Sequence, residues 1–234
     1  MCTVSFIPLS NEDFILTSNR DESPNRKTLT PQKYEINNVQ LLFPKDEVAG
    51  GTWIGASKNN RLICLLNGGF KAHIPKGKYR LSRGVIVTDL LTTKDLKAKI
   101  KNYDFNEIEP FTIILLDWEK QLGLYELIWD GFKIHFCEKP LKATIWSSSL
   151  LYSAEDKKKR EQWFSDFLKT TDFITDDSII NFHKTAGEGN RKTNLVMDRV
   201  FVKTKSITKF SKKKEACEMQ YEDLSNFKKY KQTL

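Results

Sequence analysis

The chain has 234 residues, with 38 Lys and Arg against 30 Asp and Glu and a formal charge of +8. With 39% apolar and 12% aromatic residues it can bury a sizeable core, which argues against disorder and fits a single domain over residues 1–234. No run approaches the roughly 18 apolar residues of a membrane-spanning helix, and residues 1–8 lack the basic start and apolar stretch of a secretory signal, so a cytoplasmic protein without stable membrane insertion is expected.

The first twenty residues read as a β-hairpin. Val4, Phe6 and Pro8 alternate with small or polar groups, Ser10-Asn11-Glu12-Asp13 makes a polar turn, and Phe14-Ile15-Leu16-Thr17 resumes the strand. A turn centred between Asn11 and Glu12 pairs residues whose numbers sum to 23, give or take one position. Cys2 then faces Asp21 and Thr3 faces Arg20, with directly opposed Cα atoms about 4.5–5.5 Å apart. Residues 23–48, punctuated by Pro24, Pro31 and Pro44, read as loop and short strand.

Gly50-Gly51-Thr52-Trp53-Ile54-Gly55 opens a second hairpin, which turns at Lys58-Asn59-Asn60 and returns through residues 61–66 to Asn67-Gly68-Gly69. From Ser82 the period changes: Val85, Ile86, Leu90 and Leu91 suit a helix, and Leu96 and Ile100 its continuation or a second one. Residues 111–116, 122–128 and 132–136 read as a meander of three strands. Ser153 followed by Glu155-Asp156 forms an N-cap signature for a helix to about Lys169, and residues 176–186 read as a further helix. Alternation around residues 202–210 and 217–224 predicts a closing hairpin. The fold class is therefore α+β with large antiparallel sheets.

Residues 203–234 hold nine Lys and four acids but no Arg, the residue suited to bidentate contacts with bases and phosphates. This region is expected to be a solvated lysine-rich edge or tail, with no nucleic acid as partner. Cys2, Cys64, Cys137 and Cys217 lie far apart, and His73, His135 and His183 do not complete metal-ligand spacings with them, so neither a metal site nor a bound cofactor is expected. Cys64 sits in an apolar run and reads as packing, as do Cys137 and Cys217.

Cys2 differs by its position. Once Met1 is removed it carries a thiol and a free α-amine, whose pKa of about 7.7–8.0 suits it as base to its own side chain. Arg20 beside it would favour the thiolate and Asp21 would orient the amine, while Asn67 can donate its amide to an oxyanion. Trp53 reads equally as a cleft wall or as core, with Gly50-Gly51 serving either a ligand approach or a turn. Arg83 at a helix start can hold a carboxylate or phosphate, or make a surface ion pair. Asn19 is a candidate to bind substrate, although holding the hairpin loop is the blander role for it and for Glu22.

The tetrapeptide Asn19-Arg20-Asp21-Glu22, together with Met1-Cys2, residues 50–55, Leu66-Asn67 and Ser82-Arg83-Gly84, resembles the NRDE family, also called the transport and Golgi organization protein 2 family. The resemblance implies a four-layer αββα sandwich of two mostly antiparallel sheets, N-terminal nucleophile hydrolase-like, related to penicillin V acylases and bile-salt hydrolases. It implies that Cys2 attacks a linear amide, supported by Asp21 and Asn67. Arg20 matches the family arginine by type, although its place next to Asp21 departs from the usual position three residues earlier. The second functional asparagine of these relatives is replaced by serine, best assigned to Ser148, and their late arginine has Lys203 as its nearest basic counterpart. The function expected is hydrolysis of a small acylated amine through a Cys2 acyl intermediate. The alternative is a non-catalytic carrier of haem, acyl-coenzyme A or another anionic lipid-like ligand, since the resemblance also implies links to haem trafficking and lipid metabolism. The oligomeric state is left open.

Overall fold

A computed structural model describes residues 3–234, so Cys2 lies outside the described residues. The opening hairpin forms as β1 (Thr3–Pro8) and β2 (Phe14–Glu22), with Thr3 opposite Asn19, one position from the expected Arg20. Leu9 and Ser10 donate their amides to the Asp13 carbonyl, tightening the turn by the amount that shifts the pairing.

The chain then departs from expectation. Residues 23–48 contain two long strands, β3 (Thr28–Ile36) and β4 (Val39–Asp46), joined by Asn37 and Asn38 at φ 53° and 59°. Two successive residues with positive φ make the tight turn whose twist matches a hairpin, and asparagine tolerates that conformation. Pro31 and Pro44 are accommodated because both fall where the β3–β4 register shifts, between Gln32↔Phe43 and Leu29↔Lys45.

The second hairpin forms as expected, with β5 (Ile54–Ser57) and β6 (Arg61–Asn67). Ser82 holds the N-cap position of α1 (Arg83–Thr92) without a side-chain capping bond, whereas Asp95 caps a separate α2 (Leu96–Asn102), accepting from the Ala98 amide. The meander is β7 (Phe111–Asp117), β8 (Gly123–Trp129) and β9 (Ile134–Lys139). A short β10 (Thr144–Ser147) precedes α3 (Ala154–Thr170), whose start is held by the reciprocal bonds of Ser153 and Asp156, and α4 (Asp176–Thr185) follows.

The last segment is β11 (Asp198–Arg199), β12 (Val202–Lys213), β13 (Ala216–Asp223) and β14 (Lys229–Thr233). It is no tail. β12 inserts beside β2 in the middle of a sheet ordered β10-β1-β2-β12-β13-β14, and Lys209 is fully buried, paired with Asp176 at 2.6 Å. Lys213 and Lys231 are also paired, with Asp176 and Glu218. Only β14, at the sheet edge, fits the lysine-rich edge that the composition suggested.

The second sheet runs β3-β4-β5-β6-β7-β8-β9 in sequence order. Period-two alternation sends one face of each sheet to a shared core of Val4, Phe6, Leu16 and Phe210 against Ile54, Leu62 and Ile114. α1 and α2 cover the outer face of the second sheet through Ile86, Leu90 and Leu91, and α3 and α4 cover the first through Phe164, Ile179 and Phe182. The result is a four-layer αββα sandwich of α+β class. Among the described residues no helix is long and apolar enough to cross a membrane.

Candidate functional site

Alternation along β2 divides the Asn19-Arg20-Asp21 run between two faces. Arg20 points between the sheets, whereas Asn19 and Asp21 point toward the helices. Arg20 is 3% exposed; its Nη2 donates to Asp46 Oδ2 at 2.8 Å and its guanidinium lies 4.4 Å from the centroid of the Trp53 ring. Among the described residues its Nη1 is buried with no hydrogen-bond partner. A buried, charged donor without an acceptor is costly unless something supplies an oxygen.

Arg20 also lines a cavity of about 90 Å³, together with Asp46, Trp53, Asn67, Arg83 and neighbouring residues. Its volume matches a few waters or one small polar group. A larger groove of about 830 Å³ lies at the opposite end, around Trp118, Lys139 and Cys217, and contains none of the candidate residues. Size favours the groove, but the unpartnered arginine favours the small cavity.

Asp46, in the strand that the sequence reading missed, anchors this corner. Its carboxylate also binds Arg26 and accepts the Val48 and Ala49 amides. Burial works to raise its pKa, but the Arg26 hydrogen bond, the Ala49 amide and the Arg26 and Arg20 charges prevail and hold it below the usual carboxylate range. Gly51 and Gly84 bring the β4–β5 connection against the start of α1. A Cβ on Gly51 would lie 2.4 Å from the Gly84 carbonyl carbon, and the Thr52 amide donates to the Gly84 carbonyl. Gly50, at φ 73°, makes the turn. Gly50 therefore serves a turn and Gly51 a backbone approach, while Trp53 is both core and cavity wall.

Asn67 ends β6 at the cavity, its carbonyl accepting from Ser148 Oγ at 2.7 Å. Ser148 thus reaches Asn67 through the backbone and does not itself line the cavity. Arg83 pairs with Glu109 at 2.9 Å and donates to the Pro110 carbonyl, so it combines an ion pair with a place in the cavity wall. Lys203 lies in β12 opposite Glu22 and does not line the cavity.

On the helix side, Asp21 accepts from Tyr152 Oη and Thr204 Oγ1, both at 2.5 Å. Tyr152 is held under Arg160, whose guanidinium carbon lies 3.3 Å from the ring centroid. Neither Tyr152 nor Thr204 carries a sequence signal, because each meets Asp21 only through tertiary packing. Asn19 is fully committed to structure: Nδ2 donates to the His183 and Leu195 carbonyls, and Oδ1 meets His183 Nδ1 at 2.7 Å. With Ser5 Oγ 2.7 Å from His183 Nε2, the order resembles a nucleophile–base–orienter triad. All three residues are fully buried and none lines the cavity, so the chain uses them to tie α4 to the sheet. Burial pushes the His183 pKa down to about 3 and the Cys64 thiol up to about 12. Among the described residues no cluster of three or more His, Cys, Asp or Glu could hold a metal ion.

The family model described as Transport and Golgi organisation 2 matches residues 1–133. The chain belongs to this family. In this family member the matched part contains Cys2, Arg20, Asp21, Asp46, Asn67 and Arg83, whereas Ser148, Tyr152 and Thr204 lie beyond it. No curated protein shows significant sequence similarity to the chain.

Among solved structures, a variant of the conjugated bile acid hydrolase from Clostridium perfringens is similar with a TM-score of 0.62 and 10% identity, covering 99% of this chain and 92% of that one. The N-acylethanolamine-hydrolyzing acid amidase ortholog of Caenorhabditis elegans is similar with a TM-score of 0.61 and 11% identity, covering 89% and 92%. The family member therefore has the N-terminal nucleophile hydrolase fold.

Proposed function

We propose that the protein is an N-terminal cysteine hydrolase acting on a linear amide of a small acylated amine. The observation that carries this reading is Arg20, whose Nη1 has no partner among the described residues, lining one cavity with Asn67 in a fold common to hydrolases of conjugated bile acids and of N-acylethanolamines. β1 begins at Thr3 opposite Asn19, which supports Cys2 acting beside Arg20 and Asp21.

In the proposed reaction, removal of Met1 frees the α-amine of Cys2. The thiol proton passes to that amine as Sγ attacks the amide carbonyl carbon, and the oxyanion is met by the Asn67 amide. The C–N bond breaks, the leaving amine takes the proton, and water hydrolyses the resulting thioester to a carboxylic acid and the free thiol. Arg20 holds negative charge at the cavity, and Asp21, fixed by Tyr152 and Thr204, orients the α-amine.

Intact-mass measurement should show loss of Met1 and, on incubation with a panel of acyl amides, an acyl adduct that Cys2→Ala abolishes. Asn67→Ala should lower kcat by roughly 100- to 1000-fold. Retained Met1, or turnover unchanged in Cys2→Ala, would reject this mechanism. Saturable binding of acyl-coenzyme A or hemin without turnover would instead support the carrier role.

A further inference from the structure

The apolar side chains left in water are concentrated at one end of the sandwich. Ile74 and Phe132 are 90% and 92% exposed, and Phe70, Val200, Phe201 and Phe227 are also exposed. Strand register puts them together. Asn67, Phe111, Trp129 and Ile134 are successive partners across the second sheet, so residues 68–82 and the β8–β9 turn with Phe132 leave from the same end. The Phe70 ring stacks edge-on against His135, 4.8 Å between centroids, which joins these two loops.

In the first sheet Arg20 and Asp223 both pair with Ser206, and Glu22 pairs with Lys203, which itself pairs with Asp198. The β11–β12 turn with Val200 and Phe201, and the β13–β14 turn with Phe227, therefore leave from the Arg20 end of this sheet. Phe173, before α4, lies at the other end, where Asp176 meets Lys213.

One of these loops is also strongly cationic. Residues 68–82 carry Lys71, Lys76, Lys78 and Arg80 with no acidic residue. His73 ties this segment to the cavity wall, bonding Glu109 at 3.1 Å while Glu109 pairs with Arg83. Large apolar tips on four separate loops, set among cations, cost free energy in water and gain it at an interface offering both acyl chains and anionic headgroups. A lipid surface adapts to tips on separate loops.

We infer that this end of the molecule docks reversibly on an anionic phospholipid surface through Ile74, Phe132 and the neighbouring loop tips, with the Arg20 cavity facing the lipid. The inference adds to the proposed hydrolase a source for an amphipathic substrate, but it rests on the exposed loop tips and their charge, and vesicle binding is read without turnover, so the two can fail separately.

Co-sedimentation of the full chain with phosphatidylcholine vesicles, with and without phosphatidylserine, tests it. Binding is expected only with phosphatidylserine, and should weaken as salt is raised. Ile74→Ser combined with Phe132→Ser should reduce binding roughly tenfold or more, while Phe173→Ser, at the far end, should leave it unchanged. Because all three positions are exposed, the variants should keep the parental circular dichroism, which is recorded alongside. Absence of phosphatidylserine-dependent binding, or equal loss in Phe173→Ser, would overturn the inference. So would a dimer in gel filtration that the double substitution dissolves while vesicles stay unbound, since the tips would then serve self-association.

Discussion

The Arg20 guanidinium lies over Trp53, 4.4 Å from its ring centroid, while its Nη2 is tied to Asp46 at 2.8 Å. The two contacts lock the group in the wall of the cavity. The conformation of Arg20 thus depends on a carboxylate from the opposite sheet, and this is the link most open to test.

Asp46→Asn should destabilise the protein by about 2–3 kcal/mol, since it leaves two arginines facing a neutral group. The folded pKa of Asp46 is depressed, so its contribution is complete above the unfolded value near 3.9 and is lost as pH falls through the folded one. Urea midpoints between pH 7 and pH 3 should fall less steeply for the variant at the acid end; parallel curves would contradict the assignment.

Tyr152→Phe and Thr204→Val each remove one hydroxyl from the Asp21 carboxylate and should each cost roughly 1.5–3 kcal/mol. Because both act on one group, the double variant should depart from additivity. Chemical denaturation of the two single variants and the double measures the coupling, and strict additivity would mean that the hydroxyls do not share Asp21 as described.

His183 is held neutral by burial, with its pKa lowered to about 3 from an ordinary 6.5. The unfolded chain therefore takes up this proton first: stability is complete above about pH 6.5, declines by up to about 1.4 kcal/mol per pH unit below it, and levels off near the folded value. His183→Leu should lose that slope and, by stranding Asn19 and Ser5, cost about 1–3 kcal/mol for each unpaired group. A folded His183 imidazole titrating near pH 6.5 by NMR would refute the account.

Gly51→Ala should cost about 2–3 kcal/mol, because its methyl meets the Gly84 backbone, which cannot step aside. Gly50→Ala meets no atom within 4 Å and should cost only the roughly 1 kcal/mol of a positive φ. Thermal or urea unfolding of the pair distinguishes close approach from turn conformation, and equal losses would show that backbone contact at Gly51 is not limiting.

Local pattern was sufficient for the elements whose cause is local. The Ser82 and Ser153 N-cap positions, the meander of residues 111–139 and the first hairpin each follow from a turn, a cap or a period within a dozen residues. β3 and β4 were obscured by Pro31 and Pro44, whose missing donors matter only if a partner strand needs them, and here both fall at a register shift. The lysine-rich end was obscured in the opposite sense: Lys209 looks solvated until Asp176 and Glu218 arrive from other elements.

The site divides along the same line. Sequence by itself set Arg20 and Asp21 on β2 opposite the start of β1 to within one position, because a hairpin register is a property of nearby residues; Asn67 was joined to them by the family pattern alone. Only the tertiary structure decided what each one does. β2 alternation turned Arg20 inward to Trp53 and Asp46, sent Asp21 outward to Tyr152 and Thr204, and spent Asn19 on His183. Those partners lie 26 to 183 residues away in the chain, and contacts at such separation are set by how sheets and helices stack, which no local periodicity encodes.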